Sequence, residues 1–67
     1  MGNVASDYRI EGGGSVFLVV PLNDAARKNL EENVGDEALW YGGGLAVEHR
    51  YIEDLVATLA GEGWLIA

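Results

Sequence analysis

Sixty-seven residues make one domain, and a domain of this size buries only about 60% of the surface its unfolded chain exposes, so its stability is marginal. Cysteine is absent and eleven acids stand against four bases, a formal net charge of −7. This excludes disulfides, thiolate metal sites and a cysteine nucleophile, and it disfavours nucleic-acid phosphates and anionic membranes as direct partners.

Met1-Gly2 followed by Ser6 has the spacing of a myristoylation site, but the preferred reading is a start residue and a flexible N-terminus over residues 1–7. It has neither the basic residues nor the apolar stretch of a secretory signal. A single domain is expected over residues 8–67. Tyr8-Arg9-Ile10-Glu11 alternates with the period of a half-buried strand. After the break at Gly12-Gly13-Gly14-Ser15, Val16-Phe17-Leu18-Val19-Val20 is apolar throughout, as in a central strand buried on both faces. The two runs predict a β-hairpin, closed off by Pro21, which cannot donate to a ladder. Even with Leu22, this longest apolar run falls far short of the roughly 20 residues of a membrane-spanning helix.

Asn23 is a good helix cap, with Asp24 suited to the positive end of the helix dipole. The helix is expected to run to Asn33 or Val34 and stop at Gly35, with Leu22, Ala26, Leu30 and Val34 as its inward stripe. Asp24 with Lys28, Lys28 with Glu32 and Arg27 with Glu31 are candidate ion pairs on its outer face. Asp36-Glu37 begins a loop. Ala38-Leu39-Trp40-Tyr41 and Leu45-Ala46-Val47 are extended, with Gly42-Gly43-Gly44 between them. One bent strand with a bulge is the preferred reading, a hairpin of two short strands the alternative. Ile52, Leu55, Val56 and Leu59 then recur at i, i+3, i+4 and i+7, the spacing of a second helix, with Glu53 and Asp54 near its start and Gly61 and Gly63 at its end. Trp64-Leu65-Ile66 is expected as a short last strand. The fold class is therefore α+β: a small mixed β-sheet with two helices, in the order β-β-α-β-α-β.

No motif identifies a chemistry. Neither triple glycine leads into a helix or is followed by the lysine of a nucleotide loop, so both read as turns or bulges. Glu48-His49-Arg50-Tyr51 is the densest polar cluster. Glu48, His49 and Glu53 would supply three metal ligands if the helix began early, or the acid-base groups of a small enzyme. The simpler reading pairs Glu48 with Arg50 or Arg9 and lets His49 and Arg50 open the helix. Nothing in the chain calls for a cofactor. The acid pairs Glu31-Glu32, Asp36-Glu37 and Glu53-Asp54 form either an ordinary solvated surface or an imitation of spaced phosphates, and they suit a protein partner with a basic surface. Trp40 and Tyr41 are candidate anchors for such a contact, although in so small a domain a core position is the preferred reading for Trp40 and for Trp64.

Gly14-Ser15-Val16-Phe17-Leu18, then Pro21-Leu22 with Ala25 and Ala26, then Gly43-Gly44 and Val47-Glu48-His49-Arg50-Tyr51-Ile52-Glu53-Asp54-Leu55, resembles a group of short uncharacterised proteins of bacterial genomes and their phages or prophages. The resemblance covers most of residues 8–60 and implies no catalytic residues. Small acidic phage proteins often inhibit host defences, anti-CRISPR proteins among them, and they bind an effector subunit or its nucleic-acid groove. By that analogy the chain is expected to be a cytoplasmic, non-enzymatic inhibitor that engages the basic surface of a nucleic-acid-binding host complex. The alternative is a structural or regulatory homo-oligomer paired through exposed sheet edges.

Overall fold

The computed structural model describes residues 6–35 and 38–67, so the expectations placed on residues 1–5 and on Asp36-Glu37 lie outside the described residues. Six elements follow one another: β1 (Tyr8–Gly13), β2 (Val16–Pro21), α1 (Asp24–Val34), β3 (Leu39–Tyr41), β4 (Gly44–Glu48) and α2 (His49–Gly61). The strands form one sheet in the order β1-β2-β4-β3, antiparallel at each step. The class is α+β, as the sequence predicts.

Both hairpins turn on glycine. Gly14 and Ser15 join β1 to β2, and Gly14 takes a φ of 75°, which a side chain would resist. Gly42 and Gly43 join β3 to β4 with φ of 51° and 87°, the pair of positive values that a tight two-residue hairpin with matched twist requires. The bent strand preferred over 38–47 is thus corrected to a hairpin. Two consecutive left-handed glycines reverse the chain, where a bulge would have needed only one.

The helices end by identifiable chemistry. Asn23 sits in extended backbone, and its side-chain oxygen accepts the Ala26 N–H at 2.8 Å, so α1 begins where expected. At the end of α2 the Gly63 N–H donates to the Ala60 carbonyl at 3.0 Å and the Trp64 N–H to the Leu59 carbonyl at 3.1 Å. With Gly63 at φ 98° this is a Schellman cap, and Gly61 lies inside the last turn. The strand expected over Trp64-Leu65-Ile66 is reduced to one parallel bridge, Ile66 to Tyr8. This bridge alone makes the sheet mixed.

The core is Tyr8, Val19, Ala26, Leu30, Leu45, Ile52 and Leu59, all buried, with Ile10, Phe17, Trp40, Val47 and Trp64 packed around them. Leu22, expected in the inward stripe of α1, is 42% exposed, because it precedes the cap and never enters the helix. Tyr8 stands at the centre. Its hydroxyl donates to the Ala26 carbonyl at 2.7 Å and accepts from the Asn29 side chain at 3.1 Å, and its ring meets Trp64 edge-on at 5.7 Å. Burial pushes the Tyr8 phenol above its ordinary pKa. The nearby Asp7 and Glu62 carboxylates add to this, and the Asn29 hydrogen bond partly offsets it.

Beside it, Asp7 clasps three segments. Its backbone N–H donates to the Leu65 carbonyl, its carbonyl accepts from Leu22, and its carboxylate accepts from the Asn23 side chain at 2.9 Å and the Leu65 N–H at 3.0 Å. Those two hydrogen bonds, Leu65 first, hold its carboxyl below the usual value of 3.8.

Two outcomes are expected. Tyr8→Phe removes the hydroxyl and keeps the ring, so it costs about 1 kcal/mol, a fall in Tm of about 4–8 °C by thermal unfolding. A carboxyl whose folded pKa is depressed adds stability above its unfolded value and loses it as the pH falls. The gap in urea midpoint between wild type and Asp7→Asn is therefore widest near neutrality and narrows as the pH drops through 3.8 and below. A gap that stays constant down to pH 2.5 contradicts the clasp.

Candidate interaction surface

Alternation along the strands sorts their side chains onto two faces. Tyr8, Ile10, Phe17, Val19, Leu45, Val47 and Trp40 lie on one face by register, and all pack into the core under the two helices. The residues between them share the other face: Arg9 and Glu11 on β1, Val16, Leu18 and Val20 on β2, Gly44, Ala46 and Glu48 on β4, and Leu39 and Tyr41 on β3. Among the described residues no helix lies on this second face. Leu39 and Tyr41 are each 63% exposed and Val16 47%, while Leu18, Val20 and Ala46 are half-buried by one another. The expectation that β2 is covered on both sides is corrected. Its run is apolar throughout because Val19 and Phe17 face the helices, while Val16, Leu18 and Val20 face outward.

The open face is flat at its middle. A Cβ at Gly44 would come within 3.2 Å of Val20 Cγ2 and 3.4 Å of Leu18 Cβ, so the glycine lets these side chains close over the strand. Charge is confined to the margins. Arg9 and Glu11 form an ion pair at 2.6 Å along β1, and Glu48 stands at the end of β4.

The structure divides the residues singled out from sequence. Glu31 and Glu32 are exposed on α1, Glu53 and Asp54 on α2, and Asp36 and Glu37 lie outside the described residues. Adjacent on β3, Trp40 and Tyr41 point to opposite faces. Trp40 turns inward, half-buried beneath the Arg27 guanidinium at 5.7 Å, and Tyr41 stands on the open face. Arg27 also meets Glu31 at 3.1 Å, the ion pair expected four residues apart. The pairing expected for Glu48 is not formed: Arg9 is taken by Glu11, and Arg50 lies over the Tyr51 ring at 5.0 Å. Arg50 follows Glu48 across the strand-to-helix junction, where the backbone turn separates their side chains.

His49 opens α2, as anticipated. Its N–H donates to the Ser15 carbonyl at 2.9 Å, and its ring stacks on Phe17 at 6.4 Å, so it joins the helix start to the first hairpin. Glu48, His49 and Glu53 are not drawn together as ligands. Among the described residues no three histidine or carboxylate side chains converge on a point, and no cavity opens. No described helix is long and apolar enough to cross a membrane. Sequence reading missed the open face as a unit, although Val16, Leu18 and Val20 alternate with core residues.

No family model, curated protein or solved structure matches the chain.

The two faces of one strand differ in energy. Val19→Ala empties a site with no solvent exposure and is expected to cost about 2 kcal/mol, whereas Val16→Ala on the open face stays within about 0.5 kcal/mol, both measured by urea unfolding. Equal costs would mean that the open face is covered in solution.

Proposed function

We propose that the chain is a protein-binding module that works without catalysis. The observation that carries this reading is the uncovered sheet face, where Leu39 and Tyr41 stand well exposed beside Val16, Leu18 and Val20. A monomeric domain of this size gains nothing from leaving apolar side chains in water at the centre of its sheet. Contiguous apolar surface of this kind characterises contact sites, and an aromatic ring such as that of Tyr41 is the usual anchor.

The exposed acids of the helix layer supply the second half of the reading. Glu32, Glu53 and Asp54 stand outward on α1 and α2, and the net charge of −7 favours approach to a basic surface, including the groove of a nucleic-acid-binding complex. The narrower reading is an inhibitor of a host defence complex, in the manner of anti-CRISPR proteins. It is supported by size, acidity and the resemblance to short phage and bacterial proteins.

The test compares capture from a host lysate by wild type, by Leu39→Glu/Tyr41→Glu and by Glu32→Gln/Glu53→Gln/Asp54→Asn, followed by calorimetric titration of each purified captured protein. The expected result is one protein held by wild type, at least tenfold more weakly by the sheet-face variant, and with a reduced salt dependence by the helix variant. Equal binding by all three variants, with their folds intact by circular dichroism, would remove this reading.

A further inference from the structure

The open sheet face raises the question of what covers it, and its charge separates it from the rest of the surface. The chain carries −7, yet among the described residues the open face holds one base, Arg9, and two acids, Glu11 and Glu48, a formal −1. The Arg9–Glu11 ion pair cancels internally. Nothing on this face attracts a basic partner, and little on it repels an identical one. Two acidic copies that meet anywhere on their helix layers bring exposed carboxylates together, whereas two that meet on their sheet faces keep those layers at opposite ends of the assembly.

Resting on the reading of this face as a contact site, we infer that its occupant is a second copy of this chain, stacked face to face across a two-fold axis. Two antiparallel sheets pack with their inner side chains interdigitated about 10 Å apart, an arrangement open to any flat apolar sheet face. Here Val16, Leu18 and Val20 of β2, Ala46 of β4 and Leu39 and Tyr41 of β3 form the layer, and Gly44, closed over by Val20 and Leu18, keeps its middle flat enough for another sheet to lie against.

The area sets the strength. Strands of six, six, three and five residues, rising about 3.4 Å per residue and lying about 4.8 Å apart, present roughly 330 Å² per copy in projection, and side-chain relief raises the total burial of two copies to about 800 Å². Stable, specific interfaces begin near about 1,200 Å², so the dimer is weak and reversible, dissociating in the micromolar range or above. The sheet edges serve less well. The β1 edge is occupied at Tyr8, whose N–H donates to the Leu65 carbonyl and whose carbonyl accepts from the Ala67 N–H, and β3 offers only three residues.

Sedimentation equilibrium from about 10 µM to 1 mM tests the inference on wild type, Leu39→Glu, Tyr41→Glu and Glu53→Gln. The expected result is a monomer–dimer equilibrium in wild type and Glu53→Gln, weakened at least tenfold by either glutamate on the sheet face. Association tightens as NaCl rises from 50 to 500 mM, because screening relieves the repulsion between two −7 chains. Should the variants misfold, isotope-filtered NOEs in a mixture of labelled and unlabelled wild type provide the same test, with methyl contacts expected between copies at Leu18 and Val20. A strict monomer up to 1 mM overturns the inference, as does a dimer that both variants leave unchanged. A monomer that still captures a protein through the sheet face overturns the second copy alone, and a monomer that captures none overturns the contact reading as well.

Discussion

One constraint governs this molecule: two helices make one layer, and one layer covers one face of a sheet. Each helix has a single apolar stripe, so burying both stripes places α1 and α2 on the same side, over Tyr8, Val19 and Leu45. A four-stranded sheet nevertheless has two faces, and β2 is apolar on both. Among the described residues no third layer covers the second face. The exposure of Leu39, Tyr41 and Val16 follows from that shortage.

With so little core, the ends of the chain contribute directly to its closure. The Asp7 carboxylate joins the start of β1 to the cap of α1 through Asn23 and to the C-terminal segment through Leu65, while the Tyr8 hydroxyl reaches the first turn of α1 from the middle of the core. These bonds tie residues up to 58 positions apart, which a local helix or hairpin cannot do. They also explain why the last residues form a bridge and no full strand. Once Leu65 and Ala67 have satisfied the outward backbone groups around Tyr8, the segment acts as a strap across the sheet edge, and Trp64 is already committed to the Tyr8 ring.

Local chemistry made most of the fold legible in the sequence. The Asn23 cap, the i, i+3, i+4 recurrence around Ile52 and the first hairpin each depend on residues within a few positions of one another. The β3–β4 reversal was harder, because three glycines permit both a bulge and a turn, and what decides between them is the pairing of Leu39 with Ala46, a matter of which strand lies alongside. The site was less legible still. Trp40 and Tyr41 are neighbours of similar chemistry, and only the register of β3 sends one beneath Arg27 and the other into solvent. Likewise Glu48 was matched to arginines by charge alone, while the structure gives those arginines a closer carboxylate in Glu11 and an adjacent ring in Tyr51.

The division of charge between the two layers gives the two proposed contacts opposite responses to ionic strength. Contact between the acidic helix layer and a basic surface is an attraction between unlike charges and weakens with salt, most steeply for exposed groups more than about 8 Å apart at physiological ionic strength. Stacking of two sheet faces joins chains of like charge through apolar surface, so salt removes an opposing term and leaves the favourable one intact. A protein that carried its acids on the same face as Leu39 and Tyr41 would gain neither contact cleanly, because each carboxylate would have to be stripped of water before the apolar side chains met. With most acids on the helix layer, the sheet face keeps only Arg9, Glu11 and Glu48, at its margins, so its apolar middle closes without burying a charge. The same arrangement keeps the helix layer free for a partner whether or not the sheets are stacked.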